Sequence, residues 1–334
     1  MIKDLIQQLL NKKDLSPLQM QQIMREILSG AAETADIVAF LTSLNAKGET
    51  VIELTAAVNV MLEYVEPIIV DKPNILDTCG TGGDKLGTFN ISTISALVAS
   101  GAGVTVAKHG NRSVSSKCGS ADVLEALGVN INLDPEQIKS CLYKIGIAFL
   151  FAPNLHLAMR QVMPARKQIA QKTIFNILGP LINPARATNQ LIGVYSKNWV
   201  RPLAEVLRNL GSKHILVVHG ADGLDEVTTT RETFVAEVVG GLIKDYEILP
   251  EDFGFKRANL NDLLGGSIEE NVKIAQDILK GKLGSRRDIV LLNAGCAIYA
   301  ADKALTIAQG IKLAQESIDS KAAWGKLKQL KEYA

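Results

Sequence analysis

The hydrophobic pattern changes character once, near residue 70. Before that point apolar positions recur at helical spacing. The start, MIKDLIQQLLNKK, is amphipathic. Ser16-Pro17 reads as an N-cap followed by proline in the first turn, and Leu18, Ile23, Ile27 and Leu28 then run to Gly30. A further helix is predicted from Thr34 to Ala46, closed by Gly48. Thr50-Val51-Ile52-Glu53 has capping-box spacing and opens a helix ending near Val65. Nothing in these helices carries chemistry, so residues 1–66 read as a small packing or association domain. EPIIVDKPN (66–74) reads as a linker.

Beyond the linker, short uncharged apolar runs alternate with amphipathic stretches. Strands are expected at 75–77, 104–107, 147–151, 191–194 and 214–219. Helices are expected near 93–101, 120–127, 135–145, 200–210, 269–280 and 287–304. This alternation predicts an α/β domain with a mostly parallel central sheet over residues 74–334. TFVAEVV and LIKDYEIL (233–239 and 242–249), split by Gly240-Gly241, resemble an antiparallel hairpin. Residues 168–190 interrupt the alternation. They are either helices lent to the N-terminal domain or a crossover between lobes.

Composition narrows the function classes. With 47 % hydrophobic and 21 % charged residues among 334, the chain can bury a large core and is not disordered. A net charge of +1 gives no broad basic field for nucleic acid. The start is too polar for a secretory segment, and no uncharged apolar run reaches membrane-spanning length. Cys79, Cys118, Cys141 and Cys296 form no CxxC pair, so neither a zinc site nor a disulfide framework is suggested. A cytoplasmic location is expected. Cys79 and Cys118 read as small neutral fillers in glycine-rich loops.

In open α/β sheets ligands bind beyond the carboxyl ends of strands, and four polar clusters are read as directly following predicted strands. The first is DTCGTGGDKLGTFNIST (77–93). Gly80, Gly82 and Gly83 allow backbone N–H groups to approach an anion, and Asn90, Ser92 and Thr93 stand where a helix begins. The stretch is neither a Walker loop nor GxGxxG. By itself it fits an ordinary glycine-rich loop as well as an anion cradle. Asp84 argues against plain cradling, since a carboxylate beside a phosphate needs a metal or sugar hydroxyls between them.

The second cluster, KHGNRSVSSKCGS (108–120), supplies Lys108, Arg112 and Lys117 as cations and several neutral hydrogen-bonding groups. Ser120 is expected to cap the helix that follows. His109 is a general-base candidate, and a structural or substrate-lining imidazole fits the sequence equally well. The third, Asp222-Gly-Leu-Asp225-Glu226, offers adjacent carboxylates that suit Mg²⁺ or a solvated acidic turn. The fourth, Met163 to Lys167, places Arg166 where it could fork onto a carboxylate or stay a surface cation. Nucleophilic catalysis has no visible apparatus, neither GxSxG nor HExxH. A phosphorylated sugar with Mg²⁺ suits the set, with positioning and electrostatics as the catalytic devices.

GTGGD (80–84), TFNIST (88–93), KHGNRSVSSKCGSADVLEALG (108–128), FAP (151–153), TIFNILGPLINPA (173–185) and Asp225-Glu226 follow one another across most of the chain. In that order they resemble the anthranilate phosphoribosyltransferase family. Leu157 and Arg160 depart from the proline and lysine common there. The resemblance implies a helical N-terminal domain, joined by helices from about 168–190, and a larger phosphoribosyl-donor-binding α/β domain. It implies a homodimer through the helical part, Mg²⁺ as cofactor, and transfer of phosphoribosyl from 5-phosphoribosyl 1-pyrophosphate to the anthranilate amine. By implication Gly80, Gly83, Asp84, Thr88, Asn90, Ile91, Ser92, Thr93, Lys108 and Ser120 contact the donor. The loop of His109, Gly110, Asn111, Arg112, Ser113, Val114, Ser115 and Ser116 closes over it. Gly80, Asn111 and Arg166 contact anthranilate, and Ser92, Asp225 and Glu226 serve the metal.

Two other readings stay open in the sequence. Pyrimidine nucleoside phosphorylases share the architecture but carry KHSTGG where this chain has KHGNRS. A non-catalytic nucleic-acid-binding relative would carry a basic surface and lack the Asp225-Glu226 pair.

Overall fold

The computed structural model describes residues 2–113 and 117–333. Four helices come first: α1 (Ile2–Leu10), α2 (Pro17–Leu28), α3 (Thr34–Lys47) and α4 (Val51–Glu63). Ser16 and Gln19 close a capping box on α2, and Thr50 and Glu53 close one on α4. Glu53 does more than cap. Its fully buried carboxylate also accepts from Leu15 N at 2.9 Å and from Lys47 Nζ at 2.9 Å, locking three helical segments together.

Seven strands form one sheet in the order β3-β2-β1-β4-β5-β6-β7. They are β1 (Leu76–Gly80), β2 (Val106–Gly110), β3 (Ile147–Phe151), β4 (Asn189–Gly193), β5 (His214–Gly220), β6 (Thr233–Val239) and β7 (Leu242–Ile248). The first five are parallel, and β6 and β7 form the predicted antiparallel hairpin. The crossovers run through α5 (Ile91–Gly101), α6 (Ser120–Ala126) and α7 (Pro135–Lys144). Between β3 and β4 the chain makes three short helices, α8 (Ala152–Leu155), α9 (Met163–Ile169) and α10 (Ile174–Leu178), and α11 (Val200–Asn209) then joins β4 to β5. After the hairpin come α12 (Ile268–Leu279), α13 (Ser285–Ala300), α14 (Ile307–Asp319) and α15 (Ala322–Glu332).

Alternate strand residues serve opposite faces. Leu191, Leu216, Val218 and Val235 enter one core with α5 and α13 to α15. Ile192, Ile215, Val217 and Ala236 enter a second with α11 and α1 to α4. Val162, Ala165 and the apolar residues of α10 belong to that second core. The interrupting segment thus packs among the N-terminal helices, and its C-terminal end joins the sheet at Asn189 of β4.

The predicted strand at 104–107 lies instead at Val106–Gly110. Lys108 and His109 are drawn into it because β1 and β3 flank it, and both side chains are buried.

The start of β5, at the opposite end of the sheet from the glycine turn, carries a buried polar knot. His214 Nδ1 lies 2.7 Å from Asp302 Oδ1 and Nε2 lies 3.0 Å from Glu237 Oε1, with Tyr299 edge-on to the ring. Burial pushes the imidazole down, but the two carboxylates outweigh it and leave its pKa raised. Burial pushes Glu237 up, but His214 and Tyr299 together overcome it and hold the carboxyl low. The raised imidazole contributes stability that is complete below the unfolded value of about 6.5 and fades as pH rises through the folded value. We expect His214→Gln to lower Tm more at about pH 5.5 than at about pH 9. An equal loss at both, read by differential scanning calorimetry, would contradict a charged knot.

Candidate active site

The glycine-rich turn leaves β1 at Gly80, at the point where the sheet order reverses between β1 and β4. This is where ligands settle in such sheets. Gly82 and Gly83 have φ of 64° and 79°, a left-handed path that favours glycine. Thr81 N donates to Gly193 O at 2.9 Å, and Tyr195 N donates to Thr81 Oγ1 at 3.1 Å, fixing the turn to β4. The second half of the turn is held from behind, where Thr88 pairs with Leu264 and Phe89 N donates to Leu263 O. Asn90 then caps α5 by position alone. Its Nδ2 donates to Cys118 O at 3.1 Å, while Asn90 Oδ1 and Thr93 Oγ1 are buried with no partner among the described residues. Two orphaned polar atoms at a helix N-terminus suit a ligand that brings its own hydrogen bonds.

The turn after β5 delivers Asp225 and Glu226 to the same place. Gly82 N donates to Asp225 Oδ2 at 2.7 Å, and Ser92 N donates to Glu226 Oε1 at 3.2 Å. Bare backbone makes this possible. A Cβ on Gly80 would sit 2.8 Å from Asp225 Oδ2, and one on Gly193 would overlap the carbonyl oxygen of Asp225. The room beside Gly80 is therefore occupied by a carboxylate. Asp222 stands apart from this pair. It accepts from Thr228 Oγ1 at 2.6 Å, from Thr230 Oγ1 and from Leu224 N, so it shapes the turn. Asn293 of α13, fully buried, accepts from Val227 N at 2.9 Å and donates to Val227 O at 2.7 Å.

Electrostatics set this corner apart. Burial pushes the Asp225 carboxyl up to about 7, with the Asp84 charge adding to it. Burial and Asp225 hold Glu226 well above the carboxylate range, and Lys108 offsets only part of that. Three carboxylates crowd one another with one buried cation beside them. Hard oxygen donors in that state fit a divalent cation such as Mg²⁺, which would relieve the repulsion. Asp77, Cys79 and His109 also approach within 4.8 Å. There the oxygens of Asp77 are already taken by His109 N and Asn183 Nδ2, at 3.0 and 2.7 Å, and burial drives the Cys79 thiol pKa up. That trio reads as structural.

Lys108 crosses from β2 to β1. Its Nζ donates to Thr78 O at 2.5 Å and lies 3.4 Å from Ser92 Oγ. His109, next along, faces His156 with Nε2 to Nε2 at 2.9 Å. Burial holds His109 well below the usual imidazole value, and burial takes His156 down to about 4. Two neutral rings share one proton there, so the Nε2 of His109 is already engaged. No partner for His109 shows in the sequence because His156 lies 47 residues away.

Arg112 departs from the expected donor-facing cation. Its guanidinium pairs with Asp122 at 2.9 Å and with Glu125 at 2.8 Å, away from the glycine turn. Ser120 does not cap α6. Its Oγ donates to Asn111 O at 3.1 Å, and Asp122 makes the cap by accepting from Gly119 N at 2.8 Å and from Ser113 N. Gly110 admits the Ser120 hydroxyl where a Cβ would collide with it. Ile91 is buried in the core, which leaves only its backbone for a ligand. Val114, Ser115 and Ser116 lie outside the described residues. Arg166, in α9, is half-buried and forms no ion pair among the described residues, and burial lowers its pKa. Four residues on, Ala170 ends the helix in a left-handed conformation, and Lys172 Nζ then reaches Gly83 O at 3.0 Å.

Residues 72–324 match the model of the glycosyl transferase family α/β domain, and residues 3–65 match the helical bundle domain of that family. The anthranilate phosphoribosyltransferase of Persephonella marina is 52 % identical over 336 aligned residues, covering 100 % of this chain and 99 % of its own. The chain belongs to the anthranilate phosphoribosyltransferase family. The crystal structure of the Thermus thermophilus family member superposes with a TM-score of 0.93 at 40 % identity, covering 98 % of each chain. The Saccharomyces cerevisiae family member, solved in complex with PRPP and Mg, gives a TM-score of 0.91 at 28 % identity, over 99 % of this chain and 97 % of that one. The family fold, a helical bundle beside a mostly parallel α/β domain, is the one seen here. Among the described residues, no helix is long and apolar enough to cross a membrane.

Proposed function

We propose that the protein is a Mg²⁺-dependent anthranilate phosphoribosyltransferase of tryptophan biosynthesis. It moves the phosphoribosyl group of 5-phosphoribosyl 1-pyrophosphate to the amine of anthranilate and releases pyrophosphate. The observation that carries this reading is the meeting of Asp84, Asp225 and Glu226 with a bare glycine turn and the open first turn of α5. Family membership sets aside the nucleoside phosphorylase and nucleic-acid-binding readings.

The C1–O bond to pyrophosphate breaks as the amine nitrogen bonds to C1, through a loose transition state with positive charge on the ribose. Bound Mg²⁺ supplies charge neutralisation for the departing pyrophosphate. Asp225, Glu226 and the Ser92 hydroxyl hold that ion. The glycine turn, with Asn90, Thr93 and Lys108, holds the anionic donor, and Asp84 meets metal-linked pyrophosphate or ribose hydroxyls. Arg166, with no ion pair among the described residues, takes the anthranilate carboxylate with Asn111 beside it. The amine proton leaves late, to water or to the product pyrophosphate, because burial and His156 hold His109 well below the usual imidazole basicity.

Residues 1–66, joined by helices from about 168–190, form the helical domain, and the remainder of 74–334 forms the α/β domain. The helical domain joins two copies into a homodimer, and the enzyme works in the cytoplasm. Loss of anthranilate fluorescence in the presence of donor and Mg²⁺ tests the activity. Folded protein that leaves the fluorescence unchanged would refute it.

A further inference from the structure

Four hydrogen bonds from elsewhere in the described residues hold the first half of the glycine turn. Thr81 is held by Gly193 of β4 and by Tyr195 just beyond it, and Gly82 is held by Asp225. These three come from the α/β body. The fourth comes from the segment that packs among the N-terminal helices. Lys172 stands shortly before α10, whose Ile174, Phe175, Ile177 and Leu178 are buried in the second core. Its Nζ donates to Gly83 O at 3.0 Å and sits 3.2 Å from the centre of the Tyr195 ring. The ring belongs to the same residue whose backbone N–H binds Thr81.

Gly83 makes room for this side chain. A Cβ there would come 3.2 Å from Lys172 Cε and 3.3 Å from Nζ. The sequence pattern assigns Gly83 one task, the approach of backbone to an anion, and the structure adds a second. Burial and the neighbouring Lys85 charge lower the pKa of the ammonium, and the charges of Asp225 and Asp84 offset part of that. An ammonium has three donors. One meets Gly83 O and one face meets the aromatic ring, and the carboxylates act on the ammonium through space, without an ion pair among the described residues.

We propose that Lys172 is a positioning residue for the phosphoribosyl donor. It clamps the glycine turn at Gly83 and sets a fixed cation beside the acidic cluster. The role rests on the reading of that turn as the donor loop. It also gives the α9–α10 segment a double duty, because Arg166 and Lys172 lie on it six residues apart.

The test is steady-state kinetics of Lys172→Met and Lys172→Arg beside the parent. Lys197→Met serves as a control that likewise removes an ammonium from an aromatic face, here Phe234 at 3.4 Å. A charge-assisted hydrogen bond that is partly exposed predicts a rise of about tenfold in donor KM for Lys172→Met. The Mg²⁺ needed for half-activation should rise with it, while kcat and the anthranilate KM change less. Arginine also stacks on a ring and donates to a carbonyl, so Lys172→Arg should return donor KM to within about threefold of the parent. Lys197→Met should leave all parameters unchanged. A lower Tm for Lys172→Met with unaltered donor KM and Mg²⁺ requirement would overturn the proposal, as would an arginine variant no better than methionine. A parent protein with no turnover would refute the functional reading itself and the clamp with it.

Discussion

The double variant Asp225→Asn/Glu226→Gln should lose Mg²⁺-dependent turnover by about 10³-fold while keeping its fold. Both carboxylates lie against backbone donors, Gly82 N and Ser92 N, that an amide oxygen can also satisfy. The exchange therefore preserves shape and hydrogen bonds and removes only charge. In metal-free protein that removal relieves repulsion, because Asp84, Asp225 and Glu226 press on one another in a poorly solvated corner. Tm measured in EDTA should be equal to or above that of the parent. Added Mg²⁺ should raise the Tm of the parent by linkage and leave the variant unmoved. A variant that still needs Mg²⁺ at the parental concentration would place the metal elsewhere.

Lys108→Met should produce the second large loss, and its stability cost should depend on pH. Lys108 is 3 % exposed, and its charge partly offsets the burial of Asp77 and Glu226. Methionine keeps the bulk but leaves buried carboxylates without their cation, a change that typically costs about 3–5 kcal/mol, or about 10²- to 4 × 10³-fold if expressed in donor binding. Asp77 sets the sign of the pH effect. Burial pushes it up to about 6 even with Lys108, Asn183 and the His109 N–H pulling it down. A carboxyl with a folded pKa above its unfolded value takes stability away as pH climbs from the unfolded to the folded value. Without Lys108 that folded value moves higher, and the loss continues past the point where the parent has levelled off. The gap in Tm between parent and variant should be small at about pH 5 and wider at about pH 8. A gap that does not change would mean Lys108 acts through packing alone.

Much of this architecture is legible in the sequence because it follows from local chemistry. Ser16, Thr50 and Glu53 announce their caps, and the uncharged runs at 147–151 and 214–219 announce buried parallel strands. The hairpin is legible from its paired glycines. What the sequence hides depends on contacts between distant parts of the chain. Lys108 and His109 look like loop residues until neighbouring strands on both sides absorb their backbone. Asp77 passes as one letter of an apolar run, although a charge in such a run is itself a sign of a buried network. The amphipathic helices α14 and α15 carry no motif and escape the sequence pattern.

The site follows the same division. Glycines, Asn90, Ser92 and the Asp225-Glu226 pair stand out by type and spacing, and the structure gathers them at the carboxyl end of the central strands β1, β4 and β5. Arg112 has the right charge and the right neighbourhood, yet Asp122 and Glu125, ten and thirteen residues on, claim it. Lys172 is one lysine among many in sequence. Only the path of α9 and α10 brings it to Gly83.

The most direct test of the central claim is the balance of the reaction itself. The purified protein is mixed with anthranilate, 5-phosphoribosyl 1-pyrophosphate and Mg²⁺, and phosphorus NMR follows pyrophosphate while mass spectrometry follows the aromatic product. The account predicts one pyrophosphate released for each N-(5-phosphoribosyl)anthranilate formed, and neither product with EDTA or without anthranilate. Pyrophosphate released without the aromatic adduct, or no change in either substrate, would contradict it.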